Sequence, residues 1–381
     1  MFEAGQHMGM TRASQSWRVA MPLTDAFGGH GGIALYNRDV LHALDADARV
    51  SNITAFPRIA GNGGQRETYP TKLDWKADAA GSLPRYMTSA LWGALRPSRA
   101  DLVWCAHVNL LPVADIMARL TGAPLILAIY GTEAWEPFER KSSIAPLKRV
   151  ARVVSISEYT SSRFREWSRF PEYRTDIVAN AIDLDAYSAG GKDPELEASF
   201  DLGGRKVAMI FGRMHPTEGR KGFDEMLEAW PLVMREEPEA VLVLAGDGGD
   251  RARLQSKAED LGIAGSVRFT GSVPEEKKAA YYRLADAYVM PSRQEGFGFV
   301  HLEAMACGVP AVASKADGAR EAVRDGAIGA LVDPEDSTDI ARQTLAAFAR
   351  PRGIPEGLAH FAFPRFAAEI SRVLDRTMDT R

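Results

Sequence analysis

The chain has 381 residues, of which 46% are hydrophobic and 25% are charged. This composition is ordinary for a globular protein and excludes a disordered or fibrous one, and the length exceeds that of one hydrophobic core, so we expect two domains. Residues 1–183 carry 21 Lys and Arg against 18 Asp and Glu, and the remainder carries 25 against 32. The net charge of −4 does not indicate a nucleic-acid partner.

Location is predicted from two features of the sequence. Cys105 and Cys307 lie in apolar stretches, and their number and spacing fit neither a disulfide framework nor a zinc site. The N-terminus is polar and lacks the apolar core of a secretory signal, and no uncharged apolar run approaches the roughly 18 residues that span a bilayer. We expect a cytoplasmic protein that contacts the inner face of the cell membrane without crossing it, with residues 1–15 as a flexible tail.

Short apolar strands alternate with helix-length segments through the first half of the chain. Strands are predicted at 17–22, 102–106, 125–130, 153–158 and 177–183. Such continuous apolar strands indicate a parallel sheet that is covered on both faces, in a domain spanning 16–185. A glycine-rich turn that includes Gly31 and Gly32 leads from the first strand into a helix. These glycines permit close approach to a ligand or serve only as a turn, and both interpretations stay open.

An aromatic and basic segment covers residues 84–97. It could form a face that rests on anionic lipid, and the alternative is a surface helix with a solvated basic rim. The other basic residues assigned to this face are Arg99, Arg140, Lys141, Lys148, Arg149 and Arg152.

The second half repeats the alternation of strands and helices, after a predicted linker at 186–203. Its predicted strands are 207–211, 240–245, 267–269, 287–290, 311–313 and 330–332, and its predicted helices are 223–235, 251–261, 275–284, 299–307 and 319–324. This pattern indicates a second doubly wound domain, spanning 186–360. A last helical segment within 361–381 is expected to pack back on the first domain.

Charged side chains follow two predicted strands of the second half, where parallel strands present ligand sites. Arg213 and Lys221 follow strand 207–211, and Glu295 and Glu303 bracket a glycine-containing turn after strand 287–290. Two cations near a helix N-terminus suit a diphosphate, since Arg offers a fork of donors and Lys a compact charge. A solvated basic loop is the alternative.

Other chemistries have weaker support in the sequence. No G-x-S-x-G elbow and no G-x-x-x-x-G-K-[ST] phosphate loop occurs. The acid pairs Asp45/Asp47 and Asp183/Asp185 are interpreted as structural, and no metal site is predicted. His107 is the histidine at the carboxyl end of a predicted strand, where a catalytic role and a structural role are equally open.

The stretch 295–306, with Glu295 and Glu303 separated by seven residues, resembles the signature of retaining glycosyltransferases of family 4. That family has the GT-B fold, in which two Rossmann-like domains face a cleft. The resemblance is strongest over 205–330, where Gly212-Arg213, Lys221-Gly222, Gly246-Asp247 and the stretch 269–273 follow in order, and the spacing of Arg213 and Lys221 is similar to that of the branch assembling exopolysaccharides and other surface glycans. Looser landmarks in the first half are Gly31-Gly32-Ile33, Ser157-Glu158 and the stretch 180–183.

The resemblance implies a role for each matched residue. Arg213 and Lys221 would bind the diphosphate of a nucleotide sugar, Glu295 the hydroxyls of the donor sugar, and Glu303 those of the ribose. The backbone of Gly296, Phe297, Gly298 and Phe299 would meet phosphate or sugar, and Val273 the nucleobase. Many relatives have a histidine where this chain has Tyr130-Gly131-Thr132-Glu133. Whether His107 or Glu133 takes part in catalysis is therefore left open.

The function implied is transfer of a hexose, with retention, from GDP-mannose or a UDP-hexose to a hydroxyl of a lipid-linked or growing surface glycan. No metal or other cofactor is expected. Alternatives are a nucleotide-sugar epimerase on the same architecture, a transferase with a small soluble acceptor, and a binding or scaffold subunit. The Glu295/Glu303 pair argues against the epimerase, and a scaffold has no need of Arg213, Lys221 and both glutamates.

Overall fold

The computed structural model describes residues 16–28, 31–59, 69–96, 99–137, 144–216 and 220–379. The predicted tail, residues 1–15, lies outside the described residues. The chain divides into two compact units. One contains the chain up to Leu127 together with Ala145–Arg152 and the residues from Ile370 onward, and the other contains Ala128–Ile144 and Val153–Glu369.

The first sheet has seven strands in the order β3-β2-β1-β4-β5-β6-β7, and its described pairings are all parallel. Its strands are β1 Trp17–Leu23, β2 Val50–Pro57, β3 Leu73–Trp75, β4 Leu102–Cys105, β5 Leu125–Ile129, β6 Val150–Ser155 and β7 Thr175–Ile177. Every residue of the central strands β4 and β5 is buried, as expected for parallel strands covered on both faces. The helices between these strands are α1 Gly32–Ala46, α2 Leu83–Leu95, α3 Leu111–Thr121 and α4 Glu158–Ser168.

The second sheet has six parallel strands in the order β10-β9-β8-β11-β12-β13. Its strands are β8 Val207–Phe211, β9 Val241–Ala245, β10 Val267–Phe269, β11 Ala287–Met290, β12 Ala311–Ser314 and β13 Ala330–Val332. The helices of the second half are α5 Pro194–Ser199, α6 Phe223–Glu236, α7 Arg251–Asp260, α8 Lys278–Leu284, α9 Phe299–Ala306, α10 Ala319–Ala322, α11 Ser337–Phe348 and α12 Phe363–Met378. The predicted fold class, with two doubly wound parallel sheets, is confirmed.

Two predictions about local structure are wrong, and strands β2 and β3 and helix α11 were not predicted. The segment predicted as a linker contains α5, whose first turn is capped by the Asp193 carboxylate. The last strand of the first sheet ends at Ile177 instead of beginning there. Helix α11 was not predicted, although its Asp336 cap accepts hydrogen bonds from the backbone N–H groups of Thr338 and Asp339.

The end of α12 packs within the first unit, as predicted for the C-terminal helix. Arg49 forms ion pairs with Asp47 and Asp375, and its guanidinium donates to the Ser371 hydroxyl at 2.7 Å. That hydroxyl in turn donates to Asp47 at 2.9 Å. None of the helices in the described residues combines the length and the apolar character that crossing a bilayer requires.

Candidate active site

The carboxyl edge of the second sheet brings together the loops predicted to bind an anion. Strands β8 and β11 are neighbours at the centre of the sheet, and the strand order reverses between them. Ligands of doubly wound sheets bind where the strand order reverses, because the loops on either side diverge and leave a crevice. Arg213 and Lys221 follow β8, and Glu295 follows β11. The crevice of this sheet is therefore lined by the predicted cations and acid.

Lys221 and Glu295 form an ion pair in this crevice. The Lys221 ammonium donates to the Glu295 carboxylate at 3.0 Å. Burial alone would raise the pKa of Glu295, but the nearby Lys221 charge and hydrogen bond bring that pKa below its ordinary value. Glu295 is therefore ionised at neutral pH and acts as a hydrogen-bond acceptor instead of a general acid. Arg213 lies exposed at the start of the same loop.

Asp317 fixes the loop that carries Glu295. Its buried carboxylate accepts hydrogen bonds from the Ser292 hydroxyl at 2.8 Å, the Glu295 N–H at 2.8 Å and the Ala319 N–H at 3.0 Å. Burial raises the pKa of Asp317 to about 7, even though the hydrogen bonds act in the opposite direction. The loops after β11 and β12 are thus fastened to one another beside the ion pair.

Two glycines of the turn after β11 are required by their surroundings. A side chain on Gly296 would collide with the Tyr130 carbonyl oxygen. The Gly296 carbonyl accepts hydrogen bonds from the hydroxyls of Ser157 at 2.5 Å and Thr160 at 3.3 Å. Gly298 has φ 84°, a left-handed conformation that disfavours other residues, and α9 begins directly after it. The turn therefore holds its backbone in a fixed position at the helix N-terminus.

Glu303 lies deeper, within α9, and both of its carboxylate oxygens bind tyrosine hydroxyls. Tyr187 donates at 2.7 Å and Tyr282 at 2.6 Å, and the Lys278 ammonium lies 3.7 Å away. The side chain is only 1% exposed, and burial raises its pKa. Of the other predicted residues, Phe297 is buried, and Phe299 and Val273 are half-buried.

The carboxyl edge of the first sheet carries the other predicted residues. Strand order reverses there between β1 and β4, and Gly31 and Gly32 follow β1 while His107 follows β4. Gly31 has φ 119°, and added side chains at either glycine would meet no atom within 4 Å. The His107 Nδ1 accepts a hydrogen bond from the Asn109 N–H at 3.1 Å, and burial lowers the pKa of His107, so the ring is neutral at pH 7.

Glu133 and the acid pairs have structural partners. The Glu133 carboxylate accepts the N–H groups of Tyr130 at 2.6 Å and Gly131 at 3.1 Å, and it thereby stabilises the turn after β5. Asp45 binds the Lys72 backbone at 2.7 Å, and Asp183 accepts the Asp185 N–H at 2.9 Å. Across the described residues, no group of three or more His, Cys, Asp or Glu is placed to hold a metal ion.

Sequence reasoning missed Asp317, Tyr187 and Tyr282. Asp317 follows the predicted strand 311–313, and an acid just beyond a buried parallel strand is a signal that could have found it. The two tyrosines lie 116 and 21 residues from Glu303, and nothing in the local sequence around either one indicates that pairing.

Two doubly wound sheets, the second with a charged crevice at its strand-order reversal, define a GT-B-type α/β enzyme. Comparison with known proteins gives the family. Residues 30–186 match the profile described as Glycosyltransferase Family 4, and residues 194–352 match that of Glycosyl transferases group 1. The chain belongs to these GT-B glycosyltransferases.

Individual relatives agree with this assignment. The chain is 34% identical to a GDP-mannose-dependent alpha-(1-6)-phosphatidylinositol monomannoside mannosyltransferase of Mycolicibacterium smegmatis, over 66% of this chain and 68% of that protein. It is 35% identical to a D-inositol 3-phosphate glycosyltransferase of Thermobispora bispora, over 73% and 69% of the two chains. The fold matches HepE of Anabaena, solved in complex with UDP-glucose, with a TM-score of 0.73 at 20% identity, covering 94% of this chain and 99% of that chain.

Proposed function

We propose that this glycosyltransferase transfers a hexose, with retention of anomeric configuration, from a nucleotide diphosphate sugar to a hydroxyl of a lipid-linked or surface glycan. The Lys221–Glu295 ion pair at the strand-order reversal carries the proposal, because it sets a diphosphate-binding cation beside an ionised acceptor of sugar hydroxyls. GDP-mannose is the favoured donor, since relatives that are 34% identical are named as GDP-mannose-dependent mannosyltransferases. A UDP-hexose is the second choice.

Each residue of the crevice has a part in the proposed reaction. Lys221 and Arg213 bind the diphosphate and stabilise the negative charge that builds as it departs, which requires no metal ion. Glu295 accepts hydrogen bonds from the donor sugar, held in place by Asp317. The backbone of Gly296, Phe297, Gly298 and Phe299 meets the phosphate or sugar.

The remaining proposed contacts lie around this centre. Glu303 accepts hydrogen bonds from the ribose hydroxyls in exchange for one from a tyrosine hydroxyl that covers it in this structure, and Val273 packs beside the nucleobase. At the edge of the first sheet, Gly31, Gly32 and His107 are proposed to contact substrate, with His107 as a neutral hydrogen-bonding group.

In the proposed step the bond between the anomeric carbon and the phosphate oxygen breaks, and the acceptor hydroxyl oxygen bonds to that carbon from the same face. The acceptor proton passes to the departing phosphate oxygen. The protein's contribution is therefore to orient the two substrates and stabilise the leaving diphosphate, without forming a covalent bond to the sugar.

The acceptor is proposed to be reached at an anionic membrane, through helix α2. Trp92 and Leu95 lie three residues apart on this helix and are 55% and 36% exposed, and the Arg96 guanidinium lies 4.7 Å from the Trp92 ring. Exposed apolar side chains beside cations suit the interface of an anionic bilayer. The basic face predicted from sequence is smaller than expected, because Arg149 is paired with Asp115 and Arg152 is buried. Arg140 and Lys141 lie outside the described residues.

The proposal is tested by a thermal-shift panel of nucleotide sugars, followed by transfer assays with the best ligand and lipid-linked or soluble glycan acceptors. We expect GDP-mannose to stabilise the protein most and an α-linked product to form. If no nucleotide sugar stabilised the protein at millimolar concentration, the proposal would be refuted, because a ligand that binds the folded state must raise its stability. Conversion of the donor to an epimer without any acceptor would favour the epimerase instead.

A further inference from the structure

A separate cavity lies within the second unit. It encloses about 410 Å³, a volume typical of sites for small molecules. Its wall includes Asn180 beyond β7, Arg324 beyond α10, His360 and Phe361 before α12, Arg365 within α12, and Phe297. None of the polar residues in this set was assigned a role in the proposed transfer reaction.

Two arginines supply positive charge to this cavity without counter-ions. Among the residues that the structure describes, neither Arg324 nor Arg365 forms an ion pair or hydrogen bond through its guanidinium group. Both are close enough to His360 to influence it: burial is the main cause that lowers the pKa of His360, and the two guanidinium charges lower it further. Both arginines thus line the cavity near His360.

Two of the three acids in the wall, Glu321 and Asp325, have partners outside the cavity. The Glu321 carboxylate accepts the N–H groups of Glu158 and Tyr159, both at 2.8 Å, at the start of α4. Asp325 is bound by the Arg320 guanidinium at 2.6 Å. The Glu369 charge acts on His360 in the direction opposite to the two arginines and raises its pKa. Glu321 and Asp325 thus have partners other than the two cavity arginines, whereas Arg324 and Arg365 have no such partner among the described residues.

Asn180 gives an independent indication of a ligand. The residue is only 5% exposed, and its side-chain Oδ1 has no hydrogen-bond partner within the described part of the chain. Buried amides in folded proteins almost always form hydrogen bonds, so an unpartnered one in a cavity wall points to a missing partner. In addition, Arg324 and Asp325 are consecutive non-glycine residues with φ of 50° and 54°. Such strained conformations cluster at ligand sites.

We propose that this cavity binds the phosphate group of a small phosphorylated molecule. Arg324 and Arg365 supply the charge and the forked donors that match phosphate oxygens, and the Asn180 Oδ1, which accepts hydrogen bonds, fits a hydroxyl group on the same molecule. Phe297 and Phe361, whose rings lie 5.6 Å apart, form an apolar wall for the rest of the molecule. Since Phe297 directly follows Gly296, an occupant of the cavity contacts the segment that carries Glu295.

The test uses the wild-type protein and follows each arginine separately. Phenylglyoxal modifies accessible arginines, and mass spectrometry of the peptides gives the rate at each site with and without inorganic phosphate. We expect phosphate to slow modification of Arg324 and Arg365 at least fivefold. Arg342, which is 66% exposed on α11, serves as the control and keeps its rate. Equal rates with and without phosphate at Arg324 and Arg365 would overturn the proposal.

A second arm separates this cavity from the crevice beside Lys221. In a Lys221→Ala variant, phosphate should still protect Arg324 and Arg365, and loss of that protection would assign the effect to the crevice and refute the cavity site. Replacing both arginines by glutamine should weaken phosphate binding at least tenfold, and the affinity for nucleoside diphosphate should stay unchanged. Vesicles of phosphatidylcholine with phosphatidic acid test the other source of the same group: protection by them, without protection by free phosphate, would assign the site to a lipid headgroup and overturn the proposal of a small phosphorylated ligand.

Discussion

The Lys221 ammonium lies 3.0 Å from the Glu295 carboxylate, and the two residues follow adjacent parallel strands, β8 and β11. The lysine lowers the pKa of Glu295 in this partly buried crevice, so the carboxylate stays ionised without a ligand. A bound nucleotide sugar would present a diphosphate to the lysine and hydroxyl groups to the carboxylate. Lys221 would thus recognise the diphosphate, and the neighbouring Glu295 would recognise the sugar hydroxyls.

Replacing Lys221 by alanine should weaken binding of the donor and of the free nucleoside diphosphate alike. A hydrogen bond to a charged group contributes roughly 1.5–3 kcal/mol, so we expect a loss of roughly 10- to 100-fold in affinity. Isothermal titration calorimetry with both ligands gives the measurement. Lys257→Ala is the matched control, because Lys257 pairs with Asp224 and Glu228. Unchanged affinity for both ligands would remove Lys221 from the phosphate site.

Replacing Glu303 by glutamine should lower the affinity for ligands that contain a ribose and leave the affinity for other ligands unchanged. The change removes the charge that accepts hydroxyl groups, so affinity for nucleoside diphosphate should fall roughly tenfold. Affinity for inorganic pyrophosphate should stay the same, since pyrophosphate contacts only the cations. The comparison of these two ligands, measured by calorimetry on the same variant, is the test.

Tyr282→Phe provides the control for this experiment. It removes one of the hydroxyls that hold Glu303 and should therefore lower the free energy of unfolding by about 1–3 kcal/mol, without changing pyrophosphate affinity. If Glu303→Gln weakened nucleoside diphosphate and pyrophosphate equally, Glu303 would be a structural residue and the ribose role would be wrong.

The strands of the second sheet were predicted to within one residue because each is a buried apolar run closed by turn residues. The end of the first sheet was not, since the apolar run that starts at Ile177 belongs to a loop: Val178 and Ile182 are buried there, and Ile182 pairs with Ala362 in an isolated bridge. Edge strand β7 has the sequence TDI, which carries no continuous apolar signal. The segment after Ile177 is buried by residues that are distant in the sequence, and local apolar periodicity does not distinguish such a loop from a strand.

The candidate site likewise has residues that the sequence predicts and contacts that it does not. Arg213, Lys221 and Glu295 could be predicted because residues just beyond parallel strands share one edge of the sheet. The support of Glu295 by Asp317 depends on contacts between side chain and backbone across 22 residues, which only the folded loops define.

Asp317→Asn should change how stability depends on pH. Burial raises the pKa of this carboxyl to about 7, so the folded protein keeps a proton that the unfolded chain releases near pH 4. The contribution of Asp317 to stability therefore falls as pH rises from about 4 to about 7 and is constant above that range. Urea denaturation between pH 5 and 8 should show a weaker pH dependence for the variant than for the wild type.

The same variant should lose activity, because an amide cannot accept all three hydrogen bonds that hold the Glu295 loop. We expect a loss of about 1–3 kcal/mol in stability at pH 8 and a fall in kcat with little change in KM. Asp260→Asn, at the exposed C-terminal end of α7, is the control. An identical pH dependence in Asp317→Asn and the wild type would contradict the role given to Asp317.

Asp47→Asn should loosen the attachment of the C-terminal helix. Burial opposes ionisation of Asp47, but hydrogen bonds from Arg49 and Ser371 outweigh it and lower its pKa to about 2. The stabilisation is present above about pH 4 and is lost as pH falls towards 2. We expect the variant to be about 1–2 kcal/mol less stable than the wild type at pH 7 and nearly equal to it at pH 2. Asp379→Asn, beyond the end of α12, is the control. An equal effect from both changes would argue against an attachment of α12 through Asp47, Arg49 and Ser371.

Exposed apolar groups on α2 predict binding to anionic vesicles. Trp92→Ala combined with Leu95→Ser removes the side chains proposed to insert, so the fraction that sediments with such vesicles should fall, with partition weakened roughly tenfold. Arg85→Glu with Arg96→Glu should act through charge instead, and the residual binding should then lose its dependence on salt. Tyr173→Ala, which alters an 80% exposed aromatic near β7, is the control and should bind as the wild type does. Wild-type protein that never sediments with anionic vesicles, at low salt and high lipid, would refute the membrane contact outright, since no variant is needed to interpret that result.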